Sequence, residues 1–250
     1  MNFERRSRAT HVVLLHGWGF SAAVWDDFAG RLGPRLRVHA PDLPGYGAAP
    51  AAAPYTLDAL AAAVARAAPR RCHVIGWSLG GEVALAWARR APRQVRRLVL
   101  VGATPCFARR PGWPCATAPA VLREFGRSLA ADRAGTMARF LAVQAKGDAR
   151  AQRLESALRA AADGSASDEV LAAGLAVLLG ADLRRELPRV RQPALVVHGA
   201  RDRIVPPAAG RRLAAALPDA RFRLLRSCAH APFLSQPGRL ARELRAFLDE

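Results

Sequence analysis

Cys72-His73-Val74-Ile75-Gly76-Trp77-Ser78-Leu79-Gly80-Gly81 is the most informative stretch of the 250 residues. A short apolar run, Cys72–Gly76, leads into Gly76-Trp77-Ser78-Leu79-Gly80, a G-x-S-x-G pattern. A helix-like segment, Glu82–Arg90, follows and is closed by Pro92. Strand, tight turn and helix in that order are the context of a nucleophile elbow, where a serine is held on a strained turn at a strand end. Gly76 and Gly80 suit it because side chains at those positions would collide across the turn. The helix beginning just after Ser78 aims backbone N–H groups at a developing oxyanion. Ser78 is the expected nucleophile, and the Leu79 amide one expected oxyanion-hole donor.

Working outward, further β-like runs occur at His11–Leu15, Leu36–Ala40, Arg97–Val101, Ala194–His198 and Arg221–Leu225. They are short, and several are rich in Val and Leu, as strands of a buried parallel sheet are. Helical candidates alternate with them: Thr56–Ala68, Ala208–Ala216 after Pro206-Pro207, and Arg239–Leu248. This alternation predicts an α/β fold with a mostly parallel, doubly wound sheet. The middle differs. Between about residues 108 and 185 no strand is expected, and helical segments run over Ala118–Leu129, Arg133–Ala145, Ala149–Ala162 and Ser167–Leu179. Residues 1–108 and 186–250 are thus expected to form one discontinuous core, and residues 109–185 an inserted helical cap.

The partners of a nucleophile elbow follow in the chain order serine, acid, histidine. Asp202 comes directly after the expected strand Ala194–His198, and His230 lies in Ala229-His230-Ala231-Pro232-Phe233 after the last strand. In a parallel sheet the loops at the strand C-terminal ends share one edge, where ligands bind. Asp202 can therefore orient His230, and His230 can take the proton of Ser78. His11, His16, His39, His73 and His198 lie at strand starts, at strand ends or in other motifs. Leu14-Leu15-His16-Gly17-Trp18-Gly19 runs from a strand into an H-G-x-G loop whose glycines permit close backbone approach. The Trp18 amide is the second expected oxyanion donor.

Composition sets outer bounds. The chain is 51% hydrophobic, enough for a sizeable core without disulfide staples. Its net charge is +18, yet Lys146 is the single lysine and every other cation is arginine, spread along the chain. Charge alone suggests a polyanion binder. No basic block with interleaved aromatics supports that, so no nucleic-acid partner is expected. Cys72, Cys106, Cys115 and Cys228 show neither C-x-x-C nor zinc-ligand spacing, which predicts free thiols in a reducing compartment and no metal. Arg5, Arg6 and Arg8 precede only four apolar residues, Val12 to Leu15, too few for a signal peptide. No run approaches a membrane span, so a cytoplasmic protein without a membrane partner is expected.

These residues make the chain resemble the α/β-hydrolase superfamily over its whole length. Within that superfamily it resembles the BioH-type carboxylesterases of biotin synthesis. The likeness rests on Val13-Leu14-Leu15-His16-Gly17-Trp18-Gly19, Asp42-Leu43-Pro44-Gly45-Tyr46-Gly47 and Gly76-Trp77-Ser78-Leu79-Gly80-Gly81. It continues in Pro105-Cys106-Phe107, Trp113-Pro114, Arg139-Phe140-Leu141-Ala142-Val143-Gln144 and Ala229-His230-Ala231-Pro232-Phe233. The resemblance implies a catalytic triad of Ser78, Asp202 and His230. It also implies a substrate channel lined by Trp18, Ser78, Leu79, Phe140, Leu141, Ala142, Val143, Gln144 and His230. The implied substrate is a methyl-esterified pimeloyl chain on an acyl-carrier protein, cut to the free carboxylate and methanol without a cofactor by a monomer. Arg139, Lys146, Arg150, Arg153 and Arg159 are the implied docking residues for the acidic carrier. A generalist short-chain carboxylesterase, a C–C hydrolase or a perhydrolase remains an alternative, because one triad supports many acyl-transfer chemistries.

Overall fold

Six strands, all parallel, form one sheet in the order β2-β1-β3-β4-β5-β6 in a computed structural model that describes residues 10–250. Arg5, Arg6 and Arg8 lie outside the described residues. The strands are β1 (Thr10–Leu15), β2 (Leu36–His39), β3 (Cys72–Trp77), β4 (Val95–Val101), β5 (Ala194–Gly199) and β6 (Ala220–Leu225). Every residue of β3 and β5 is buried, which explains why these strands are apolar apart from His73 and His198. At the edge, β6 instead alternates Arg221 and Arg223 with the more buried Phe222 and Leu224.

The helices are α1 (Asp26–Ala29), α2 (Leu57–Ala67), α3 (Leu79–Arg90), α4 (Pro119–Ala131), α5 (Arg133–Ala145), α6 (Ala151–Ala161), α7 (Asp168–Gly180), α8 (Pro207–Ala216), α9 (Pro232–Ser235) and α10 (Pro237–Asp249). Side chains set their starts. Thr56 Oγ1 accepts from Ala59 N–H at 3.2 Å, Asp132 Oδ1 from Gly135 N–H at 2.8 Å and Ser167 Oγ from Val170 N–H at 3.3 Å. Prolines open α4, α8 and α10, where a missing N–H costs nothing.

Alternate strand residues feed two apolar layers. Val13, Leu15, Val74, Leu98, Leu100 and Val196 pack with α2, α3 and α8, and with Leu122, Val170 and Leu175 from α4 and α7. On the other face, Val12, Leu14, Ile75, Val99, Val101 and Val197 pack with α10 and with Leu141, Leu154 and Leu158 from α5 and α6. The four helices between β4 and β5 thus contribute to both layers.

Every expected strand and helix forms, with ends shifted by at most a few residues. The sequence gives no warning of the helical turns at Ala22–Leu32, Arg184–Arg189 and Pro232–Ser235, since pieces this short show no periodicity. Among the described residues no helix is long and apolar enough to cross a membrane.

Candidate active site

Ser78 stands between β3 and α3 with φ +54° and ψ −118°, and it is the only non-glycine described residue with positive φ. Such a backbone costs on the order of 1–3 kcal/mol and must be held by its surroundings. Ser78 N–H donates to the Val101 carbonyl at 3.0 Å, and the Ser78 carbonyl accepts from Gly81 N–H at 2.8 Å. The glycines are obligatory here: a Cβ on Gly76 would run into the Gly80 carbonyl, and one on Gly80 into the Leu15 and His16 carbonyls. That closeness brings the N-terminus of α3 against the loop after β1.

His16 braces that loop. It is fully buried, and burial lowers its pKa to about 4, so the ring is neutral. Its Nδ1 donates to the Gly17 carbonyl at 2.9 Å, and its Nε2 accepts from Leu43 N–H at 2.8 Å. Asp42 ties the adjoining segment, accepting from Ala22 N–H at 2.7 Å and Ala48 N–H at 3.1 Å. The Trp18 and Leu79 amides form no hydrogen bond to another described group, so both donors remain open. The Leu79 side chain itself is core.

His230 Nδ1 lies 2.8 Å from Asp202 Oδ2, with both side chains buried. The other Asp202 oxygen accepts from Ile204 N–H and Val205 N–H, each at 2.9 Å. Burial on its own would raise the pKa of this carboxyl. The His230 charge and the hydrogen bonds from His198 and His230 outweigh burial and hold it well below the usual carboxylate range. His198 is a partner that sequence reasoning passed over. Its Nε2 donates to the Val205 carbonyl at 3.0 Å and sits 3.3 Å from Asp202 Oδ2. Its place four residues before Asp202, at the end of β5, was the available signal. The Ser78 hydroxyl makes no hydrogen bond to a described side chain, a looseness common in unliganded sites.

Above Ser78 lies a cavity of about 690 Å³, within the usual range for a ligand pocket. Its apolar wall includes Trp18, Phe107, Phe125, Phe140, Leu175 and Ile204. Trp18 packs edge-on to Phe125 and Phe140 at 5.5 and 5.3 Å, and its Nε1 donates to the Leu171 carbonyl at 2.9 Å. Of the expected channel residues, Trp18, Ser78, Phe140 and Val143 line the cavity. Leu141, Ala142 and Gln144 do not, and the expectation of a continuous wall is corrected there. On α5 successive side chains point to different sides, so Leu141 joins the other layer and Gln144 is fully buried. His230 is buried too, outside the cavity wall, as is the Leu79 side chain.

Of the expected docking cations, only Arg139 lines the cavity. Arg159 is engaged by Glu155 and Arg139 by Asp132, while Arg150 Nη1 donates to the Ser235 carbonyl. Lys146 and Arg153 are exposed, with no carboxylate partner among the described residues. Arg127 and Arg203 also line the cavity, outside the expected set; Arg127 is held by Glu124, and Arg203 has no ion pair among the described residues. Val121 and Val143, 58% and 38% exposed, add apolar surface to the same wall. No group of three or more potential metal ligands occurs among the described residues.

The alpha/beta hydrolase family model matches residues 12–243. The chain is 46% identical, over 90% of its length and 93% of the relative's, to a pimeloyl-[acyl-carrier protein] methyl ester esterase of Aromatoleum aromaticum. It is 41% identical to the esterase of that name from Nitrosomonas europaea, over 95% of both chains. Among solved structures it is similar to an esterase from Exiguobacterium antarcticum (TM-score 0.86, 23% identity, 96% of this chain and 92% of that one). An enol-lactonase from Burkholderia xenovorans gives a TM-score of 0.84 at 24% identity, over 99% of this chain and 94% of the other. At such identities these two structures speak for the fold alone.

Proposed function

The chain belongs to the alpha/beta hydrolase family, and from that premise we propose that it is a serine carboxylesterase acting on pimeloyl-[acyl-carrier protein] methyl ester. The observation that carries the chemistry is the 2.8 Å contact of Asp202 with His230, whose carbonyl accepts from Trp77, next in sequence to a strained Ser78 that opens on an apolar cavity.

His230 takes the Ser78 proton, and Ser78 Oγ attacks the methyl ester carbonyl. The open amides of Trp18 and Leu79 receive the oxyanion; losing one such donor typically costs about 3–4 kcal/mol of transition-state stabilisation. His230, oriented and charge-balanced by Asp202, then protonates the departing methanol. Water activated by the same imidazole attacks the acyl-serine, and the free carboxylate leaves with Ser78 reprotonated. Thioesters are no harder to attack than methyl esters, so sparing the carrier linkage is a matter of positioning. The apolar cavity takes the acyl chain with the methyl ester inward, and the carrier stays at the mouth.

In this reading residues 109–185 act as a cap, and the carrier docks on its charged rim. Arg139 and Val143 share one side of α5 at four-residue spacing, and Lys146 follows just past the end of that helix. With Arg127 and Arg203 they offer cations and apolar surface to an acidic partner, with Arg153 beyond; Arg150 and Arg159 are already engaged. Four cysteines without a disulfide suit a reducing cytoplasm, and the reading takes the enzyme as a monomer.

The test compares kcat/KM for pimeloyl-carrier methyl ester with that for p-nitrophenyl butyrate, using the wild type and Ser78→Ala. The carrier ester should be strongly preferred, and Ser78→Ala should lose both activities. A preference for the short ester, with no rescue of a biotin-requiring strain, would leave a generalist esterase instead.

A further inference from the structure

The loop carrying His230 is gripped from two sides. From the sheet side, Arg201 N–H donates to the Cys228 carbonyl at 2.9 Å, and Trp77 Nε1 donates to the His230 carbonyl at 3.0 Å. From the cap side, the end of α5 and the turn into α6 supply three bonds. His230 N–H donates to the Gln144 carbonyl at 3.2 Å, and Ala149 N–H donates to the Ser227 carbonyl at 3.0 Å. Between them, Ala229 N–H donates to Asp148 Oδ2 at 2.8 Å. Asp148 is buried, at 7% exposure, and its other oxygen accepts from Arg150 N–H at 2.8 Å. Its own N–H donates to the Ala145 carbonyl at 3.0 Å, so the carboxylate is fixed at both ends.

We propose that Asp148 is a positioning residue that ties the cap's α5–α6 turn to the catalytic histidine, setting where the His230 imidazole sits relative to Asp202 and Ser78. The proposal rests on the reading of His230 as the catalytic base. A buried carboxylate accepting a backbone amide makes a charge-assisted bond, stronger than a neutral one. Removing it leaves Ala229 N–H, one residue from His230, buried and unpaired. The loop then shifts to find another acceptor. A displacement of about 1 Å in reacting groups costs about 100-fold in rate. Asp148 touches neither the cavity nor Ser78, so its loss acts on the rate and not on binding.

The experiment uses the full chain, wild type and two variants, Asp148→Asn and Asp148→Ala. A fluorophosphonate first labels and counts active serines; a wild type that does not label at Ser78 overturns the triad reading, separately from the claim about Asp148. Per labelled site, kcat for p-nitrophenyl butyrate should fall about 10-fold in Asp148→Asn and about 100-fold in Asp148→Ala, with KM within about twofold. Asn does better because it keeps one acceptor oxygen. The downfield NMR signal of the His230 Nδ1 proton shared with Asp202 should shift in both variants. The proposal is overturned if either variant keeps the wild-type kcat per labelled site and the wild-type proton signal, even with a lower Tm or fewer labelled sites. Should Asp148→Ala not fold, Asp148→Asn decides on the same readouts.

Discussion

Glu82, one turn into α3 after Ser78, is 1% exposed, and neither of its carboxyl oxygens has a partner among the described residues. Burial alone pushes its pKa well above the ordinary carboxyl value, so it carries its proton where a free glutamate has lost it. In the unfolded chain Glu82 ionises near pH 4.3. Above that pH the folded protein binds one more proton than the unfolded chain, and stability falls as pH rises. The slope is about 1.4 kcal/mol per pH unit for as long as the proton stays on. Two substitutions separate the contributions. Glu82→Gln keeps the size and the unpaired polar atoms but cannot ionise. It should match the wild type only well below pH 4.3, be about 1 kcal/mol more stable at pH 5 and gain a further ~1.3 kcal/mol by pH 6. Glu82→Leu also removes the unpaired atoms, and should be about 1–3 kcal/mol more stable than Glu82→Gln at every pH. Urea unfolding followed by circular dichroism at pH 5, 6 and 7 reads these differences as midpoint shifts at constant m. Ester hydrolysis at pH 7 should be unaffected, because Glu82 is absent from the cavity wall. Parallel pH profiles for the wild type and Glu82→Gln would mean that Glu82 is ionised in the fold, against the protonated state expected from its burial.

Asp202→Asn should lower kcat about 10⁴-fold with little change in KM for a short ester, as measured by steady-state kinetics. Because the folded carboxyl titrates below its unfolded value near 3.9, its stabilisation is present above about pH 4 and fades on further acidification. The stability gap between wild type and Asp202→Asn in urea should therefore narrow from pH 5 to pH 3. Arg203→Glu reverses a cation of the cavity wall that has no ion pair among the described residues. Reversal removes one attraction and adds one repulsion, each about 1 kcal/mol in water, so KM for the carrier-bound ester should rise about 30-fold at low salt and about twofold at 0.5 M salt. Reversing Arg127 or Arg139, already held by Glu124 and Asp132, should do less, and an equal, salt-independent loss on p-nitrophenyl butyrate would remove the docking role.

What could be read from the chain follows from how far each signal reaches. The elbow is local: Gly76, Ser78 and Gly80 serve a turn whose clashes involve neighbours in sequence and the adjoining strand end. Asp202 and His230 were within reach despite their distance from Ser78, because a parallel sheet brings all its C-terminal loops to one edge. The cavity wall was not. The run Phe140 to Gln144 suggests one lining segment, yet a helix turns about 100° per residue, so Phe140 and Val143 face the cavity while Leu141 packs beneath. Periodicity shows that α5 has buried sides, but a helix wedged between a cavity and a core has two of them, and hydrophobicity does not distinguish the two. Asp148 is harder still. An aspartate in a turn between helices reads as solvated, and its pairing with Ala229 leaves no pattern in either segment, because a backbone N–H is the same for every residue type but proline. Only burial separates this carboxylate from one facing water. The same holds for the arginines: the +18 charge counts them all alike, whereas Arg159 beside Glu155 and Arg203 without a carboxylate present very different fields to an acidic partner.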